Sequence, residues 1–331
     1  MNPLDLLQTN LLSPMVLAFA LGAIAVWIRS DLSVPDDLYT ALSIFLLLAI
    51  GLKGGHALAN ASWADVARPA MATLALGIIT PLLAYAVLRW LGRFDVANAA
   101  AMAAHYGSVS AVTFAATLTF LDGRGVAYEG FMPALVALLE VPAIVVALLI
   151  ARLRMPAPAV EDSTATSSRS WGVVLHEVFA GRSVLLLLGG IVIGYVSTER
   201  NFERVAPLFV NLFYGALVLF LLDMGMVAAR RLRDVGSAGG FLIGFAMLMP
   251  LVSGAIGVAL GHASGLSFGG TVVLGVMAAS ASYIAAPAAV RVALPEASPA
   301  YYLTAAIGIT FPFNLTLGIP AVYAMATWIR G

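Results

Sequence analysis

Apolar runs long enough to cross a bilayer recur along the chain, at about 12 to 28, 38 to 58, 69 to 91, 96 to 120 and 126 to 151. After a polar gap they resume at about 183 to 198, 206 to 229, 238 to 261, 267 to 293 and 299 to 328. Each comes near the roughly 20 residues that a membrane-spanning helix needs. The strict alternation of a membrane β-barrel strand is missing. Backbone immersed in lipid must satisfy its own hydrogen bonds, so runs of this kind predict helices or paired broken helices. The pattern therefore predicts an all-α polytopic membrane protein with about ten transmembrane helices, five on each side of the gap.

The gap itself, 152–170, reads RLRMPAPAVEDSTATSSRS, a polar stretch rich in Pro, Ser and Thr without periodicity. It divides the chain into a first five-helix repeat (1–153), a cytoplasmic linker (154–181) and a second repeat (182–331). The opening MNPLDLLQTN carries Asp5 and no basic residue, unlike the positive start of a cleaved signal, so the first run is read as a retained helix.

Sliding one half over the other makes unusual residues coincide. Gly22 meets Gly194, Pro35 meets Pro207, and Ser108-Val109-Ser110 meets Ser280-Ala281-Ser282, all at a shift of 172 (194 − 22, 207 − 35, 282 − 110). With small slips Gly51 pairs with Gly225 (174), and Glu140-Val141-Pro142 with Thr310-Phe311-Pro312 (170). Such ordered coincidences indicate a duplication. An odd number of spans per repeat places the second upside down relative to the first. Inverted repeats of this kind build secondary transporters, with substrate bound near the midplane where broken helices meet.

With the N-terminus outside, the cytoplasmic flanks hold eleven basic residues: Arg29, Arg89, Arg93, Arg152, Arg154, Arg169, Arg182, Arg230, Arg231, Arg233 and Arg291. The outside holds six: Lys53, Arg68, Arg124, Arg200, Arg204 and Arg330. The positive-inside rule favours both termini outside and the linker in the cytoplasm.

Composition narrows the picture. Of 331 residues 61% are hydrophobic and 10% charged, against roughly 25% charged in a soluble domain. This argues against a soluble globular protein, a coiled coil, a disordered chain and a nucleic-acid-binding domain. Seventeen basic residues balance seventeen acidic ones, so no net field draws in polyanions. Without cysteine there are no disulfides, iron–sulfur clusters or thiolate zinc sites, and four scattered histidines form no metal cluster. HExxH, GxSxG and P-loop motifs are missing, so the chain is not read as an enzyme and no cofactor is expected.

The candidate chemistry lies where helices are interrupted. The run NAAAMAAHYGSVSAVTFAATLTF is poor in Leu and Ile and centres on His105-Tyr106-Gly107-Ser108-Val109-Ser110. Its partner GVMAASASYIAAPAAV centres on Ser280-Ala281-Ser282, with Pro287 five residues later. Small residues also serve close helix packing. Two such segments at matching repeat positions point further, to a ligand site. Two half-helix N-termini facing one cavity offer N–H groups and positive dipole ends suited to a small anion, and serine hydroxyls add neutral donors. The anion candidates are Gly107, Ser108, Val109, Ser110, Ser280, Ala281 and Ser282.

Ionisable residues inside spans are costly and so informative. Glu140 precedes Pro142, whose missing N–H frees a carbonyl. Together with Thr310 and Asn314 from the other repeat, and Ser108 and Ser282, it offers the oxygens that a hard cation wants. A structural acceptor is the plainer reading of Glu140. Asp223 could couple or gate, bind an oligomer neighbour or cap a water, and His105 could gate or simply pack beside the site.

GSVSAVTFAATL, followed by Tyr128-Glu129 and LLEVPAIVVALL, resembles the first repeat of the SbtA-type sodium-dependent bicarbonate transporters. The run SASYIAAPAAVRVALPEASPAYYLTAAIGITFPFNLTLGIP resembles their second repeat, and the likeness extends over about 17–323. It implies a plasma-membrane symporter of bicarbonate with sodium, folded as inverted repeats with a core and a gate domain, usually trimeric. It also implies a cytoplasmic PII-like regulatory partner that senses adenine nucleotides. Carried over, the anion site falls on 107–110 and 280–282 with sodium nearby, and Glu140 stands at a carboxylate-before-proline position. Open alternatives are a sodium- or proton-coupled carrier of another small anion such as sulfate, and a membrane sensor or scaffold that transports nothing.

Overall fold

The computed structural model describes residues 10–155, 171–232 and 235–330. Most of the expected linker (156–170) and both chain ends (1–9 and 331) lie outside the described residues. Among the described residues all regular structure is helical. In chain order the helices are α1 (Pro14–Trp27), α2 (Asp36–Ala59), α3 (Trp63–Leu91), α4 (Val96–Gly107), α5 (Ala111–Asp122), α6 (Met132–Arg154) and α7 (Trp171–Ala180). There follow α8 (Arg182–Val196), α9 (Glu199–Leu232), α10 (Gly239–Ala263), α11 (Phe268–Ala279), α12 (Ala285–Ala293) and α13 (Pro299–Arg330). Six of these, α2, α3, α6, α9, α10 and α13, are long and apolar enough to cross a membrane.

α6 starts at Met132 rather than near 126, α7 lies within the stretch expected as linker (154–181), and two further boundaries differ from the hydropathy reading for local reasons. α3 starts near residue 63 because the Ser62 hydroxyl accepts the Asp65 N–H at 3.2 Å, capping a first turn whose Asp65 and Arg68 read as loop. α9 starts at Glu199 with two polar turns before its apolar stretch. The runs at 96–120 and 267–293 are each two short helices joined by extended backbone. The joints share their geometry, with Ser108 at φ −88°, ψ −176° and Ser280 at φ −89°, ψ 165°. Even the caps correspond. Asp95 accepts the Asn98 N–H at 2.9 Å, and Ser267 accepts the Gly270 N–H at 3.1 Å, 172 positions on (267 − 95). Partial burial pushes the Asp95 carboxyl up, but hydrogen bonds from the Asn98 backbone and side chain outweigh it and hold the group below its ordinary value.

Two bundles emerge from the packing. In the first, α1 lies on α9 and α8 lies on α2, backbone against backbone. A Cβ on Gly22 would strike the Leu222 carbonyl, and one on Gly225 the Phe19 carbonyl. On the other pair, Gly194 meets the Leu52 carbonyl and Gly55 the Ile191 carbonyl. Small residues allow such approach where burial in lipid gives no hydrophobic drive. In the second bundle α3, α4 and α6 pack together, and α10, α11 and α13 pack together. These two sets exchange caps: Glu129 accepts the Ser267 N–H at 2.6 Å and hydroxyl at 3.0 Å, and Asn98 accepts the Ser298 N–H at 2.8 Å. The bundles touch where α9 meets the Thr304–Thr310 segment of α13 and where α2 meets α6.

Candidate functional site

The extended joints of the two broken helices cross each other. The Ser110 N–H donates to the Ser280 hydroxyl at 2.9 Å, and the Ser282 N–H donates to the His105 carbonyl at 2.8 Å. Gly107 is required by the first joint, because a Cβ there would come within 2.7 Å of the Pro81 ring. Beyond the crossing, Ser110 caps α5, its hydroxyl accepting the Thr113 N–H at 3.1 Å, and the Ser282 hydroxyl accepts the Ala286 N–H of α12 at 3.3 Å. Four helix ends therefore converge. The N-termini of α5 and α12 bring positive dipole ends and N–H groups without intrahelical partners, and the C-termini of α4 and α11 bring carbonyls.

A narrow cleft lies at this crossing, lined by Val109, Ser110, Ala111, Glu140, Ser183, Ser282, Tyr283 and Ile284. It is pinched too tightly for a water-sized sphere, so the site is closed in this conformation. A second, apolar cleft adjoins it through Ala111 and Ile284 and is walled by Leu46, Leu47 and Ile50 of α2 and Phe220 of α9. The crossing thus faces the first bundle across an apolar wall. Glu140, on α6, is 3% exposed. Its Oε1 accepts the Ser183 hydroxyl at 2.8 Å, and its Oε2 has no hydrogen-bond partner among the described residues. No Lys or Arg is among the residues lining the cleft.

A family model described as the Na+-dependent bicarbonate transporter superfamily matches residues 14–327. The chain belongs to this superfamily. Comparison with curated proteins yields no match. Membership makes it a membrane transporter, in keeping with its several apolar helices, and sodium and bicarbonate are the solutes in the superfamily's name.

In this member of the Na+-dependent bicarbonate transporter superfamily, the sequence-predicted residues separate into groups. Val109, Ser110 and Ser282 line the cleft with Glu140. Ser108 donates to the Glu140 carbonyl at 3.4 Å, and Ser280 holds the crossing together, its hydroxyl also donating to the Met277 carbonyl at 2.8 Å. Gly107 and Ala281 are buried parts of the joints. Thr310 and Asn314 are not among the lining residues. Thr310 donates to the Ala246 carbonyl at 2.6 Å and pairs with the Tyr106 hydroxyl at 2.6 Å, joining α4, α10 and α13. Asn314 donates to the Ala279 carbonyl at 2.7 Å, anchoring the C-terminal end of α11, while its Oδ1 has no partner among the described residues. Thr310, which the sequence pairs with Glu140 at a shift of 170 (310 − 140), does not line the same cleft. His105 is fully buried, with Nδ1 2.7 Å from the Ala101 carbonyl and its ring 4.4 Å from that of Tyr302, beside the crossing rather than in the cleft. Asp223 is buried on α9 and lines neither cleft.

Sequence reasoning missed Ser183 and Tyr283. Tyr283 follows Ser282 directly, so the motif reached its edge. Ser183 opens an apolar run with no motif, and only the through-space meeting of α8 with α6 reveals it.

Proposed function

We propose that the protein is a sodium-coupled bicarbonate symporter of the plasma membrane, with the anion at the crossing of the broken helices and sodium beside it at Glu140. The observation that carries this reading is the convergence of two helix N-termini and two helix C-termini on one cleft that holds a buried carboxylate and no basic side chain. Dipole ends and N–H groups suit a small monoanion, each end worth up to about 2 kcal/mol when partly buried. Bicarbonate, with three oxygens and one hydroxyl, can both accept from Ser110 and Ser282 and donate to a carbonyl end. The carboxylate and the carbonyl ends suit a hard monovalent cation, and sodium bound there offsets the Glu140 charge that would otherwise repel the anion. Sodium binding therefore favours bicarbonate binding, which couples the movement of the two solutes.

The proposal extends to the whole architecture. The chain is read as ten spans in two inverted five-helix repeats (1–153 and 182–331, joined by 154–181), with the shared joint geometry and caps at a shift of 172 (280 − 108, 267 − 95) in support. The bundle of α1, α2, α8 and α9 acts as the gate and the other as the moving core, in a trimer with both termini outside. A PII-like protein is the proposed partner at the cytoplasmic linker.

The experiment is labelled bicarbonate uptake into proteoliposomes with and without an inward sodium gradient, with sulfate and nitrate as competitors. Sodium-driven uptake that neither competitor blocks is the expected outcome. Uptake indifferent to sodium, or blocked by sulfate, would overturn the coupling or the substrate respectively, and no flux at all would leave a sensor or scaffold.

A further inference from the structure

We propose that Ser183 and Tyr283 complete the cation site at Glu140, so that sodium is held between the two bundles rather than inside one of them. The inference rests on the sodium-coupled reading of the cleft and adds to it the residues and the place of the ion.

Three observations carry it. Glu140 Oε2 is buried without a hydrogen-bond partner among the described residues, and the buried Tyr283 hydroxyl has the Ser110 hydroxyl beside it; all three residues line the same cleft. Native proteins rarely leave a buried carboxylate oxygen unpaired unless a water or an ion uses it. The cleft lining contains no Lys or Arg, so a charged Glu140 finds its countercharge in a bound cation. Among the lining residues only Ser183 comes from the first bundle: it stands at the start of α8, and its hydroxyl reaches Glu140 Oε1 at 2.8 Å.

A serine hydroxyl suits this place because it can donate to the carboxylate when the site is empty and turn a lone pair to the cation when it is filled. The tyrosine hydroxyl is another neutral oxygen, carried on the crossing itself. Thr310 and Asn314, whose hydrogen bonds go to Ala246 and Ala279, are not part of the set. Sliding of the core along the gate must therefore part Glu140 from Ser183. The closed arrangement binds sodium best, and separation of the bundles weakens the site and releases the ion.

Retention of radiolabelled sodium by the purified, monodisperse protein without bicarbonate tests this directly. Wild type is expected to saturate. Ser183→Ala and Tyr283→Phe should each raise the half-saturating sodium concentration by about tenfold, the effect of losing one hydroxyl that faces a charge. Ser183→Thr should restore it. Because the chain has no cysteine, an Ile284→Cys variant, which lines the same cleft without contributing a side-chain oxygen, adds a second readout: sodium, but not potassium, should slow its reaction with a small methanethiosulfonate. Half-saturation within about twofold of wild type in both hydroxyl deletions, or thiol labelling blind to sodium, overturns this site and leaves the symport reading standing. No saturable retention by wild type overturns both.

Discussion

The two bundles make their closest contacts by opposite means. Where α1 crosses α9 and α8 crosses α2, glycines bring backbone onto backbone and leave no room for a side chain. Where the joints of α4/α5 and α11/α12 cross, contact is made through hydroxyls and N–H groups, and a buried Glu140 oxygen at the cleft has no partner among the described residues. Close glycine packing fixes one geometry, since interiors resist added volume. Unspent polar groups are costly at rest and gain partners only when a ligand arrives. The first region reads as a frame, the second as a place built for loading and release.

The largest expected effect should come from breaking the frame. Gly194→Leu or Gly22→Leu forces a side chain into a facing carbonyl and should cost about 3 kcal/mol or more, seen as loss of the monodisperse peak and a lower melting temperature in detergent. Gly240, where an added Cβ meets nothing within 4 Å, should accept alanine with little change. If both glycine classes respond alike, the frame is not built on these crossings.

Next comes the site. Glu140→Gln removes charge without changing shape. It should shift the sodium activation of bicarbonate uptake by about tenfold or more, roughly 1.4 kcal/mol per decade, while the melting temperature holds. A proton carrier would instead lose its pH-driven uptake with sodium activation unmoved, which would reassign the carboxylate.

Serines sharpen the contrast within the crossing. Ser282→Ala should weaken apparent bicarbonate affinity by about fivefold, near 1 kcal/mol. Ser110→Ala should do the same and also lower stability by about 1 kcal/mol, because its hydroxyl caps α5. A melting temperature for Ser110→Ala equal to that of wild type would show that the cap is not a contributor.

The smallest effect is expected at Asp95, an exposed cap at the far end of α4. Asp95→Ala should lower stability by about 1 kcal/mol or less and leave uptake unchanged. Its carboxyl sits below the ordinary value in the folded chain. Its contribution is therefore present above the ordinary carboxylate pKa and fades as pH falls through the lowered one. Melting curves of wild type and the alanine variant should converge in acid.

Much of the frame was legible in the sequence, because apolar runs and the coincidence of Gly22 with Gly194 and Gly51 with Gly225 report lipid burial and close packing directly. The joints were legible too, as small-residue segments poor in Leu. Which polar groups share the cleft was not. Glu140 and Thr310 occupy matching positions in sequence, yet one meets Ser183 and the other Tyr106 and Ala246, since the partner is set by which helix lies opposite. The π-helical turns at Thr304–Thr310 and Asn314–Gly318 likewise escape a reading by period, and they rotate Thr310 and Asn314 relative to an ideal helix.

The central claim is that the crossing is where the solute binds. With no native cysteine to interfere, a Ser282→Cys variant that still takes up bicarbonate can be labelled with a charged, membrane-impermeant methanethiosulfonate. The account predicts labelling that bicarbonate and sodium together suppress, and that either alone suppresses less. Labelling at one rate in all four conditions, with uptake intact, would contradict it.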